Sequence, residues 1–91
     1  MKIYKYEIRV GRRSLSLPRG AEILSFQCQH GTLCMWALVD PDAPDEERIF
    51  RVHATGFDIK MPAEGMEFIG TAQTEGGLVW HLFEEKATAT K

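Results

Sequence analysis

Apolar and polar side chains alternate along most of this chain. Residues 2–10 set Tyr4, Tyr6, Ile8 and Val10 on one side and Lys5, Glu7 and Arg9 on the other. Strand side chains repeat with period two, so this stretch predicts a half-buried β-strand. Gly11-Arg12 turns it, and Ser14-Leu15-Ser16-Leu17 resumes the alternation until Pro18-Arg19-Gly20 stops it. Proline and glycine this close together punctuate strands and rarely sit in central ones. Residues 23–29 then place Leu24, Phe26 and Cys28 on one face. The return stretch, Leu33-Cys34-Met35-Trp36-Ala37-Leu38-Val39, is apolar at seven successive positions. A strand without a wet face is predicted to be central and covered on both sides. Gly31 before it and Asp40-Pro41 after it leave too little length for a helix.

Residues 40–47 hold five acids and two prolines. Asp40, Asp42 and Asp45 invite a calcium reading, but the glycine and distal Glu of an EF-hand loop are missing. A solvated turn is expected, with room for one helical turn capped by Asp42. Residues 48–55 read as the next strand, with Phe50, Val52 and Ala54 inward and Ile49, Arg51, His53 and Thr55 on the other face; Gly56 ends it. Residues 60–65 form a connector without periodicity, and residues 66–85 a closing hairpin. Nowhere does a helical pattern last the roughly 10–12 residues that predict a helix. The expectation is an all-β, mostly antiparallel fold: a small barrel or sandwich of six to seven strands with little or no helix. Residues 1–86 make a single β domain, and residues 87–91, with no large apolar anchor, a disordered C-terminal tail.

Two stretches vary one hairpin. Glu22-Ile23-Leu24-Ser25 leads through Gln27 and Gly31 to Trp36, and Glu67-Phe68-Ile69-Gly70 leads through Gln73 and Gly76-Gly77 to Trp80. From Glu to Trp they differ in length by one residue. Each is a strand, a glycine-centred turn and a second apolar strand. Trp36, inside the seven-residue apolar run, reads as core. Trp80 has Val79, His81 and Phe83 on the opposite face of its strand, and something must cover them. Apolar side chains on both faces of two strands are more than one small domain easily hides. A homo-oligomer is therefore expected, with the surplus face of residues 78–83 between subunits.

Composition narrows the function classes. The chain has 91 residues, 44% hydrophobic and 26% charged, with a net charge of −2. That balance suits an ordinary soluble domain and argues against duplex nucleic acid, whose binding draws on clustered Lys and Arg. Arg12, Arg13 and Arg19, around Leu15 and Leu17, read as solvated decoration of an edge strand. No run reaches the roughly 18 apolar residues of a membrane span, and Met1-Lys2-Ile3-Tyr4-Lys5 lacks the apolar block of a signal peptide. A cytoplasmic location is expected. Cys28 and Cys34 then read as free thiols. They face one another if the loop between them is His30-Gly31-Thr32, and do not if it is His30-Gly31. The pair is too small a ligand set for a metal, and no cofactor motif is present.

His30 falls in a turn, His53 on a polar strand face and His81 beside Trp80. No nucleophile elbow, His-Glu-x-x-His or phosphate loop accompanies them, which argues against an enzyme. A ligand-binding surface fits the residue types better. Arg48, Arg51 and His53 suit phosphate, Thr55 and His81 offer hydrogen bonds, and Trp80 or Tyr4 offers a stacking face.

Lys2-Ile3-Tyr4-Lys5-Tyr6, residues 17–25, Trp36-Ala37-Leu38-Val39-Asp40-Pro41, Phe50-Arg51, Thr55-Gly56, Phe68-Ile69-Gly70-Thr71 and residues 76–81 together resemble a family of small proteins widespread in tailed-phage and prophage genomes. The resemblance covers nearly the whole chain. Family members more often carry His after the Thr-Gly, where Phe57 stands here. The resemblance implies a non-enzymatic phage or prophage anti-defence protein acting in the host cytoplasm. Its sharpest form is a sponge that binds and sequesters a host cyclic-nucleotide immune signal. The alternatives are a protein-binding inhibitor of a host defence complex, of the anti-CRISPR type, with residues 40–47 mimicking nucleic acid, or a minor virion or assembly protein.

Overall fold

The structure, a computed structural model, describes residues 1–59 and 65–86. The expected connector at residues 60–64 and tail at residues 87–91 lie outside these. Seven strands form: β1 (Lys2–Glu7), β2 (Gly11–Pro18), β3 (Glu22–Gln29), β4 (Thr32–Val39), β5 (Asp45–Ala54), β6 (Met66–Gln73) and β7 (Val79–Glu85). They build a three-stranded sheet in the order β1-β4-β3 and a four-stranded sheet in the order β2-β5-β7-β6. Every paired neighbour is antiparallel. Neither sheet closes into a barrel, so of the two architectures expected the sandwich is the one that forms.

The core lies between the sheets. β4 is central in its sheet, as its apolar run predicts. Leu33, Met35, Ala37 and Val39 from its inner face join Leu17, Phe26, Phe50, Val52 and Leu82 in one buried cluster. Each large side chain removed from water here contributes about 1.5–3 kcal/mol. On β5, Phe50 and Val52 are fully buried while Arg51 and His53 take the opposite face, as the alternation predicts.

Three boundaries and one turn differ from expectation, the first being that Gly11-Arg12, expected as a turn, opens β2. β1 ends at Glu7 rather than at residue 10; Ile8 stays buried, and Val10 is exposed. β5 begins at Asp45, because Asp45, Glu46 and Glu47 pair with Pro18, Leu17 and Ser16. Between β4 and β5 no helical turn forms. Asp40 is the capping group, its Oδ1 accepting from the Asp42 amide at 3.0 Å and its carbonyl from the Ala43 amide at 3.0 Å.

The two tryptophan hairpins share a local feature and reverse its orientation. Each has a β-bulge at the equivalent place, between Ile23 and Ser25 in β3 and between Phe68 and Gly70 in β6. Beyond the bulge, Phe26 is buried, whereas its counterpart Thr71 is exposed. Ser25 pairs with Trp36, and Gly70 pairs with the buried Leu82. Trp36 therefore lies on the outer face of its sheet, half-buried, and not in the core where its apolar run placed it. Trp80 turns inward and packs against the core.

The β3–β4 turn is the two-residue His30-Gly31, with φ of 51° and 80°. This pair of positive values is the type I′ pattern that matches strand twist. In this register Cys34 pairs with Gln27 and Cys28 with Leu33, so the thiols sit on opposite faces and both are free. Asparagine enters the left-handed region more cheaply than histidine. His30→Asn is expected to raise stability by about 0.5 kcal/mol, and Gly31→Ala to lower it by about 1–2 kcal/mol, in urea unfolding.

Candidate functional site

Strand periodicity divides the residues expected to bind a ligand. Arg51, His53, Thr55 and His81 gather on the outer face of the four-stranded sheet, where His53 sits directly opposite His81. Thr55 Oγ1 lies 2.7 Å from His81 Nε2 and Thr71 Oγ1 lies 3.0 Å from His81 Nδ1. Both ring nitrogens are thus engaged by threonine hydroxyls. His53 packs its ring 6.3 Å from that of Phe83, which also meets Phe68 edge-on at 5.5 Å. Its Nε2 is buried without a hydrogen bond among the described residues. Burial, and then the charge of Arg51, push the His53 pKa below the ordinary 6.5.

Arg51 on this face is already paired. Its Nε donates to Glu85 Oε2 at 2.7 Å. Arg12, reaching across from β2, donates from Nε to the same oxygen at 2.7 Å and from Nη2 to Oε1 at 3.0 Å. The hydrogen bonds from Arg12, reinforced by Arg51, pull the Glu85 carboxyl from 4.5 down to about 2.

Arg48 and Trp80 belong to the opposite face, and Tyr4 to the other sheet, where it pairs with Ala37. Arg48 makes a forked contact with Glu84, Nε to Oε2 at 2.6 Å and Nη2 to Oε1 at 2.8 Å, and its Nη1 donates to the Ala21 carbonyl. It ties β5 and β7 to the corner before β3. The 460 Å³ cleft beside it is lined by Glu22, Glu67 and Glu84, carboxylates that repel an anion.

A second cleft lies at the other end of the sandwich. Antiparallel order brings the β1–β2, β3–β4 and β6–β7 turns together there, around a cavity of about 660 Å³. That volume falls in the range of small-molecule sites. Its floor is apolar, with Ile8, Leu33 and the Trp80 indole. Trp80 is held by a hydrogen bond from Nε1 to Thr74 Oγ1 at 3.2 Å. Glu7, Arg9 and Arg13 line its rim. Arg13 is braced by bonds from Nε and Nη2 to the Val10 carbonyl, at 3.1 and 2.8 Å. Arg9 has no ion pair among the described residues. Of the residues expected from sequence, only Trp80 lines this cleft. Arg9 and Arg13 escaped because alternation placed them on solvated positions; the signal lay in the turns, which antiparallel order carries to one end.

A cluster of acids lies at the far end. Asp40, Asp42, Asp45, Glu46 and Glu47 follow β4, near Glu22, Glu67 and the Arg48–Glu84 pair. The Arg19 amide donates to the Pro44 carbonyl at 2.7 Å, joining the two turns at that end.

These features define an all-β sandwich with a charged end cleft beside Trp80. Residues 1–91 match the family described as a domain of unknown function (DUF7352), and the chain belongs to that family. No curated protein and no solved structure matches it. Among the described residues, no helix is long and apolar enough to cross a membrane, and no three metal-ligating side chains converge.

Glu85 and His53 set opposite ends of the acid range. Glu85 is held ionised in the fold, so its contribution is full above pH 4.5 and is lost as pH falls toward 2. Glu85→Gln is expected to lower the Tm at neutral pH, with the gap to the parent closing by pH 2. His53 resists protonation in the fold, so the unfolded chain takes up a proton first and stability declines as pH drops through 6.5. His53→Phe should flatten the melting temperature between pH 7 and 5; an unchanged slope would show that His53 is not its source.

Proposed function

We propose that this protein is a non-catalytic binding protein whose end cleft takes a small anionic ligand with a planar ring, a nucleotide being the class that fits. The observation that carries the reading is the convergence of Arg9, Arg13 and Trp80 on one 660 Å³ cavity. Guanidinium groups hold phosphate oxygens in charge-assisted bonds, and an indole offers a stacking face for a base. The distribution of charge supports it further. Arg9 and Arg13 outnumber Glu7, the one carboxylate of the cleft lining, while Asp40, Asp42, Asp45, Glu46 and Glu47 collect at the opposite end, which favours an anion at the cleft over one at Arg48.

The residues also favour binding over turnover. His81 has both nitrogens engaged, and burial raises the Cys34 thiol pKa, so neither is poised to attack or to shuttle a proton. The phosphate contacts expected at Arg48 and Arg51 pass, in this reading, to Arg9 and Arg13, because Glu84 and Glu85 already neutralise the former pair. Trp80 keeps its stacking role. In its sharpest form the protein is a phage or prophage sponge that sequesters a host cyclic-nucleotide immune signal, which requires tight binding and abundant protein but no chemistry on the ligand.

A thermal-shift screen against cyclic di- and oligonucleotides tests this. At a hundredfold excess over Kd a ligand adds about 2.7 kcal/mol, or roughly 10 °C or more of Tm in a domain this small. The ligand should be recovered chemically intact after heat release. Arg9→Ala with Arg13→Ala should weaken binding at least tenfold, whereas Arg48→Lys should leave it unchanged. A panel without any shift, together with co-purification of a host protein, would replace the reading with that of a protein-binding inhibitor.

A further inference from the structure

Along residues 73–78, at the β6–β7 turn, Thr74 alone is half-buried; its neighbours are exposed. The Thr74 amide donates to the Leu78 carbonyl at 3.0 Å, and the Gly77 amide donates to the Thr74 carbonyl at 3.3 Å. Gly76 and Gly77, with φ of 92° and 89°, permit this closure, because glycine enters positive φ without steric cost. The side chain is fixed as firmly as the backbone. Its Oγ1 donates to the Leu78 carbonyl at 3.4 Å and accepts from Trp80 Nε1 at 3.2 Å. Both Thr74 and Trp80 line the end cleft.

We infer that Thr74 is the positioning residue of this cleft, setting the plane of the Trp80 indole against which a ligand ring stacks; the inference rests on the reading of the cleft proposed above. Packing alone does not set that plane. Trp80 pairs with Ala54 on one side and Ala72 on the other, and side chains this short leave an indole free to change rotamer. Among the described residues, the bond to Thr74 is the one polar contact of the ring. An indole has a single donor and no acceptor. With that donor taken, Trp80 has only its ring to offer a ligand, and stacking on a ring does not read the identity of a base. The division of labour follows: Thr74, through Trp80, governs the stacking contact, and Arg9 and Arg13 govern the anion.

Two substitutions separate the hydroxyl of Thr74 from its shape. Thr74→Val keeps the branched outline and removes the acceptor, which leaves the indole N–H unpaired. Thr74→Ser keeps the hydroxyl and removes the methyl. A packing role would be spared by valine and harmed by serine; a positioning role requires the reverse. Trp36 and Trp80 are the only tryptophans of the chain, so in a Trp36→Phe background the indole band of near-ultraviolet circular dichroism reports the order of Trp80 with no ligand present. Thr74→Val should lose most of this band and Thr74→Ser should keep it, with far-ultraviolet spectra matching the parent in both.

Cyclic di-GMP and cyclic di-AMP serve as the binding probes. Thr74→Val should weaken both by roughly threefold or more, and Thr74→Ser neither, because stacking is tolerant of the base. An indole band that survives Thr74→Val, a band lost in Thr74→Ser, or a Thr74→Val protein that binds the dinucleotides as tightly as the parent would each overturn the inference. A parent that binds neither dinucleotide counts against the reading of the cleft, and the ligand-free comparison still decides whether Thr74 sets the ring.

Discussion

Packing of the β4 inner face against β5 and β7 is the constraint on which the other features rest. Met35, Ala37, Val39, Phe50, Val52 and Leu82 are fully removed from water, and Leu17 closes the cluster from β2. In so small a domain there is one such cluster, and little stabilisation is available elsewhere. Once these positions face inward, period two dictates where their neighbours point. Cys34, Trp36 and Leu38 must face out from one sheet, and Arg51, His53, His81 and Phe83 from the other.

The same rule distributes the charges. Glu84 and Glu85 are successive residues of β7 and therefore serve opposite faces. Glu84 receives Arg48 on the core side, and Glu85 receives Arg12 and Arg51 on the outer side. Arg48 and Arg51, three apart on β5, divide between these partners for the same reason. Three arginines are consequently committed to holding strands together. Arg9 and Arg13, in and beside the β1–β2 turn, are not, and both line the cleft where the turns meet beside Trp80.

Much of the architecture was legible along the chain. Alternation in β1 and β5, the apolar run of β4, and the glycine-bearing turns at residues 31 and 76–77 each led to the observed element, because each signal is local. The start of β5 was not legible. Asp45, Glu46 and Glu47 have the composition of a loop, and only the partner strand β2 holds them extended. For the candidate site the position was the reverse. Arg51, His53, Thr55 and His81 share a face that periodicity could anticipate, while Arg9 and Arg13 come to Trp80 from separate turns that no local pattern connects.

The two tryptophans show where the division falls. Local sequence determined that each belongs to a glycine-turned hairpin, since backbone preference and turn chemistry act over a few residues. Which face each presents was decided by tertiary packing. A strand can bury either of its faces, and a shift of one residue exchanges them. The choice depends on which set of side chains completes the core shared with another sheet. That choice turned Trp36 outward and Trp80 inward, the opposite of what the apolar content around each one indicates. Burial around Trp36 comes from the alternate residues of its own strand, and the inward turn of Trp80 follows from its place beside Ala54 and Ala72, whose small side chains leave room for an indole.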